Sequence, residues 1–104
     1  MILVNTDYIT NKEIVEMLGL VKASTVQTKH IGKDIMASLR GLVGGEINEY
    51  TDMMDNARKI ALDKLSKEAS SLGADGVINI RFSTSAIMEG ASEILAYGTA
   101  VKIK

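Results

Sequence analysis

One amphipathic segment, Glu46 to Leu72, constrains this chain more than any other feature. Ile47, Tyr50, Met54, Ala57, Ile60, Ala61, Leu65, Ala69 and Leu72 recur at helical spacing. Glu46, Glu49 and Asp52 fall in the first turns, where negative charge suits the helix dipole. Asp55, Lys59, Asp63 and Lys67 make an i,i+4 row of alternating sign, the signature of an exposed stripe. Gly73 stands where a left-handed cap belongs. About 26 residues at 1.5 Å each make a rod near 40 Å. The whole chain has 104 residues, enough for a single domain spanning 1–104, and a compact domain of that size has a radius of gyration near 13 Å. Part of the rod must therefore stand in solvent or lie against something else.

The rest of the chain reads mostly as strand. Val77–Met88 and Ala91–Ile103 flank Glu89-Gly90 and predict a C-terminal β-hairpin. With those two residues as the loop, Met88 pairs with Ala91, Phe82 faces Tyr97, Ile80 faces Thr99, Ile78 faces Val101 and Thr84 faces Leu95. That register gathers Ile78, Ile80, Phe82, Leu95, Tyr97 and Val101 on one face, which belongs on the long helix. The opposite face sets Arg81 against Gly98, Asn79 against Ala100 and Ser83 against Ala96. Met1–Val4 is a short β-prone run. Thr10 with Glu13 forms a capping-box pattern, and Ile14, Val15, Met17 and Leu18 predict a helix over 11–18 ending at Gly19. Leu20–Lys29, rich in Val and Thr, predicts a strand in which neither face is cleanly apolar. A second helical stretch runs from Gly32 to about Leu42, with Ile35, Leu39 and Leu42 as its apolar positions. The expected fold is α+β in the order β-α-β-α-α-β-β. One long helix packs on a small sheet that contains the hairpin.

Composition removes whole classes of function. There is no Cys, so disulfides, thiolate metal sites and cysteine nucleophiles are out. Twelve basic residues against thirteen acidic ones leave a net charge of −1 and no electrostatic basis for nucleic acid. No apolar run approaches the roughly 20 residues that span a bilayer. Met1-Ile2-Leu3-Val4-Asn5 lacks the basic start of a signal peptide, so the cytoplasm is the expected location, with no membrane partner.

Several fragments carry a family likeness: Gly44-Gly45-Glu46-Ile47 leading into Tyr50-Thr51; Ala57-Arg58 with Ala61-Leu62; Ala69 with Gly73-Ala74-Asp75; and Glu93-Ile94-Leu95-Ala96-Tyr97-Gly98-Thr99-Ala100-Val101. Together they resemble the YbjQ family of small bacterial proteins over essentially the whole chain. Asn11 and Ala23 depart from that pattern, standing where Gly is usual. The resemblance implies an α+β subunit that assembles with itself into a ring, a homopentamer. It also brings a heavy-metal-binding label, and with it a transition metal as the implied cofactor. The residues alone predict an assembly of more than one copy, because a small sheet cannot cover the wide apolar face of the long helix.

Candidate site residues follow from this. Soft metals favour Cys, Met and His, which leaves His30, Met36, Met53 and Met54 as metal candidates, at no spacing of a known metal motif. Met54 lies within the apolar stripe and reads equally as core. Glu46, Tyr50, Arg81, Glu93 and Tyr97 are the ligand or interface candidates. Glu46 has a second explanation in the helix dipole, and Arg81 with Glu93 could simply pair. Ser83-Thr84-Ser85 has no neighbouring base to activate it, and the glycines 41, 44 and 45 lack the Lys-Ser/Thr of a P-loop. No catalytic residue is named, and the chain is expected not to be an enzyme. Two functions stay open: a homo-oligomeric binding module with a metal or small ligand between subunits, and a structural ring that recruits a protein partner without metal.

Overall fold

The computed structural model describes the backbone of residues 1–28 and 45–104 and the side chains of 1–27 and 51–104. In chain order the described elements are β1 (Ile2–Leu3), β2 (Ile14–Thr28), α1 (Gly45–Ser71), β3 (Gly76–Met88) and β4 (Ala91–Ile103). The strands form one mixed sheet in the order β1-β3-β4-β2. β1 runs parallel to β3, and β4 is antiparallel to both β3 and β2. The α+β class, the long helix and the C-terminal hairpin are as the sequence predicts. The helix expected from Gly32 to Leu42 lies outside the described residues.

α1 packs through one row of small residues. Ala57, Ala61, Leu65 and Ala69 are fully buried against Val21, Val77, Ile94, Ala96 and Ala100. These four helix positions repeat every fourth residue, so they form a single ridge, and alanines on both partners let backbone approach backbone. Within the sheet the fit is equally tight at Gly98, where a Cβ would lie 2.8 Å from the Ile78 carbonyl oxygen and from Val77 Cγ1 of β3. The helix stops in a Schellman motif. Ala74 N donates to the Ala69 carbonyl at 3.1 Å, Gly73 N donates to Ser70 at 2.9 Å, and Gly73 has φ +82°. On the opposite side of the sheet, at one end, Ile9, Ile78 and Val101 form a second cluster with Ile2, Val4, Ile14 and Ile103 around them.

Two expectations are corrected. Where a helix is expected over 11–18, residues 14–18 are instead the first part of β2 and 11–13 lead into it. β4 runs to Ile103, and its last residues find their partner here: Ile14 pairs with Ile103 and Met17 with Val101, and Lys104 N donates to the Glu13 carbonyl at 2.9 Å. A long ladder along β4, with register shifts at Ile14/Glu16 and Met17/Gly19, outweighs a local capping pattern. Thr10-Asn11 forms a turn, with Lys12 N donating to the Ile9 carbonyl at 3.0 Å and Asn11 at φ +61°. That conformation suits Gly or Asn at the third turn position. Gly19 marks a register shift in β2, not a helix end.

The hairpin register is also different. Met88 does pair with Ala91, but Phe82 then pairs with Ala96, Arg81 with Tyr97 and Ile78 with Thr99. Two irregularities, between Ala86 and Met88 and between Ile78 and Arg81, each put one extra residue into β3. Asn79, at φ +54°, sits in the second. The face on the helix is therefore Ile94, Ala96 and Ala100 with Ile80, not Leu95 and Tyr97. Phe82 is 43% exposed. Among the described residues no helix is long and apolar enough to cross a membrane.

Candidate functional site

α1 does not sit centrally on the sheet. It lies mainly over β2 and β4 and barely reaches β3. Two surfaces result. On the helix side, an open groove of about 700 Å³ runs beside β3, lined by Leu3, Val4, Asn5, Thr6, Leu62, Ile80, Arg81 and Phe82. Main-chain bonds from Asn79 N to the Thr6 carbonyl (2.9 Å) and from Ile80 N to the Val4 carbonyl (3.1 Å) hold its floor. Arg81 Nη1 donates to the Asn5 carbonyl at 2.9 Å and to the Ile80 carbonyl at 3.1 Å. Nothing in the hydropathy pattern marks this groove, because it forms only once residues 2–6 lie beside β3 and α1 is displaced toward β2.

The face opposite α1 carries the other candidates. Tyr97 stands between Lys22 of β2 and Arg81 of β3 in register, and is 37% exposed. Glu93 pairs with Val26 and Ser85, and with Lys22, Ser24 and Leu95 it borders a second hollow of about 350 Å³. Arg81 and Glu93 are four residues apart along the ladder, about 13 Å at strand spacing, and the Arg81 hydrogen bonds go to main chain. The expected Arg81–Glu93 pairing is not made within one chain. Both do share a face with Tyr97, as strand alternation requires.

The two metal candidates with described side chains both lie on α1. Met54 packs against the main core, and its neighbour Met53 is half-buried. His30 and Met36 lie outside the described residues, and the side chains of Glu46 and Tyr50, in the first turns of α1, are likewise outside them. Met17 and Met88 are exposed, but Met17 pairs with Val101 and Met88 with Ala91, which places them about 33 Å apart along β4. Among the described residues no group of three His, Cys, Asp or Glu side chains is placed to hold a metal ion. The described donors of one chain therefore do not fit a soft-metal centre. On α1, Lys67 Nζ lies 3.1 Å from Asp63, as the row of alternating charges predicts, whereas Asp55 pairs with Arg58 at 2.9 Å.

The sheet edges are the remaining feature. Among the described residues no strand covers the outer edge of β2, or the outer edge of β3 beyond Arg81. Leu20 is 69% exposed, and Val26, Phe82, Ile87 and Met88 are also exposed. Lys64 Nζ reaches from α1 to the Ser24 carbonyl at 3.2 Å, on the β2 edge.

Known proteins resemble this chain along its whole length. The family model YbjQ_1, described as "Putative heavy-metal-binding", matches residues 1–104. A UPF0145 protein of Clostridium novyi is 60% identical over 103 residues, 99% of each chain. A UPF0145 protein of Methanosarcina acetivorans is 54% identical over 103 residues, 99% of this chain and 97% of that one. Among solved structures, a protein of unknown function from Pediococcus pentosaceus, described as belonging to the DUF74 family, superposes with a TM-score of 0.68. It covers 100% of this chain and 98% of its own at 22% identity, which speaks for the fold alone.

Proposed function

The chain belongs to the YbjQ family, also designated UPF0145, and from that premise we propose that it is a homo-oligomeric binding module. Copies close into a ring, five by the family resemblance, and the ligand site lies at the junction between subunits. The observation that carries this reading is that no described strand covers the outer edge of β2, or of β3 beyond Arg81, and that exposed apolar side chains lie along both. Monomers blunt such edges. The shape agrees: the radius of gyration is 17.1 Å, against about 13 Å for a compact chain of this length.

A second reading is a ring that recruits a protein partner and carries no metal. It is favoured by the wide separation of Met17 and Met88 and by the core position of Met54. Light scattering combined with element analysis of untagged protein tests both. The proposal expects a mass several times 11.2 kDa. Stoichiometric copper or zinc after loading would place a metal in the assembly, and a loaded ring without metal would leave the recruiting module. A single-chain mass at micromolar concentration would remove both.

A further inference from the structure

Beyond any site at the junction between copies, we propose a ligand site on the face opposite α1 of each single chain. The hollow between β2 and β4 binds a nucleoside monophosphate whose base carries an amino group, with the phosphate at Lys22 and the amino group at Glu93.

Strand alternation places the site. Val21, Ala23, Ile94 and Ala96 belong to the core beneath α1, so Lys22, Ser24, Glu93 and Leu95 project from the other face. Those four border one hollow of about 350 Å³, within the roughly 300–1,000 Å³ of small-molecule sites. The register orders it into rows. Lys22 lies beside Tyr97, Ser24 beside Leu95, and Glu93 one row further, beside Val26. Lys22 and Glu93 are thus four residues apart along the ladder, about 13 Å at strand spacing. Among the described residues neither forms an ion pair or a side-chain hydrogen bond. Between them lie the half-buried Leu95 and the exposed Ser24. The hollow therefore has a cationic end, an apolar floor with a hydroxyl at its side, and an anionic end.

The two ends set the chemistry of the ligand. Arg81 pairs with Tyr97 from the β3 side, so it stands in the same row as Lys22. Its Nη1 donates to the Asn5 and Ile80 carbonyls, which anchors the guanidinium and leaves its other N–H groups unbonded among the described residues. Two cations and a phenol in one row suit a group with nearly two negative charges, and a phosphate monoester carries about −1.5 to −2 at pH 7. At the far end an ionised carboxylate only accepts hydrogen bonds. It selects an N–H donor and rejects a carbonyl in the same place, because two acceptors would then face each other unpaired. Leu95 between the ends offers its apolar surface to a flat ring. A free amino acid is too short for this span, since a single carbon separates its two charged groups. A nucleic-acid strand needs a run of phosphate contacts, and one cationic row in a chain of net charge −1 does not supply it.

Calorimetric titration of the untagged full chain tests this. Adenosine monophosphate should bind once per chain. Adenosine, which lacks the phosphate, inosine monophosphate, which has a carbonyl in place of the amino group, and inorganic phosphate should each bind about tenfold more weakly or worse. Lys22→Ala should weaken both nucleotides alike by about tenfold, and Glu93→Ala should abolish the preference for the amino base. No binding of adenosine monophosphate at millimolar concentration, equal affinity of the native chain for the amino and carbonyl bases, or native affinity in folded Lys22→Ala would overturn the proposal. Inorganic phosphate binding as tightly as the whole nucleotide would also overturn it. If a variant loses its native circular dichroism, the comparison of the four ligands on the native chain decides. Light scattering on the same samples separates this site from self-assembly. An assembled chain that ignores the nucleotide defeats this site alone, and a single chain that binds it leaves this site standing without the assembly.

Discussion

Gly98 is where a single atom has the largest consequence. Its absent Cβ is what allows β3 and β4 to lie as they do beneath the helix. A methyl group at 2.8 Å from the Ile78 oxygen and Val77 Cγ1 has nowhere to go. Gly98→Ala should cost about 1–3 kcal/mol through overpacking, measured by urea denaturation. A change under about 0.5 kcal/mol would mean that the strands yield easily. Leu65, fully buried in the ridge, should lose about 2–5 kcal/mol on truncation to Ala. Phe82 differs. Its exposure means that the fold of one chain should lose no more than about 1 kcal/mol in Phe82→Ala. The expected readout is a urea unfolding midpoint that barely moves. A fold weakened by about 3–5 kcal/mol would instead restore the register in which Phe82 is core. The sequence could not reveal this difference. The alternation of Ile78, Ile80, Phe82 and Tyr97 is real, but the extra residue near Asn79 moves Ile78 and Ile80 to opposite faces.

Among the elements, α1 and the hairpin tip were legible because their signals are local. The stripe Ala57, Ala61, Leu65, Ala69, the stop at Gly73 and the loop at Glu89-Gly90 each depend on residues within a turn or two. Gly73→Ala tests the helix stop. It places a Cβ at φ +82° without a clash, since the nearest side-chain atom is 3.7 Å away, so the cost should be the conformational one alone, about 1–2 kcal/mol. Loss of several kcal/mol would point to a contact that this geometry lacks. By contrast β2 was illegible in its first half, because what makes Ile14–Leu18 a strand is β4, more than eighty residues away in the chain. The candidate site divides in the same way. Alternation alone places Arg81, Glu93 and Tyr97 on one face. The groove beside Phe82 needs the tertiary offset of α1, which no periodicity encodes. The exposed Asp63–Lys67 pair should contribute no more than about 0.5 kcal/mol, so Lys67→Ala should leave the unfolding midpoint nearly unmoved.

At the scale of the whole molecule, one subunit is elongated, 53 × 22 × 16 Å, and its helix covers only part of its sheet. Among the described residues α1 leaves part of β3 uncovered, and exposed apolar residues lie along that edge. The central claim is therefore that this chain works as a closed assembly of identical copies. Native mass spectrometry tests it most directly, since a single spectrum counts chains and detects any metal held between them. The account predicts a discrete multiple of 11.2 kDa, five by the family resemblance, with no ladder of open-ended species. A spectrum dominated by the single chain at micromolar concentration, with native circular dichroism, would contradict it.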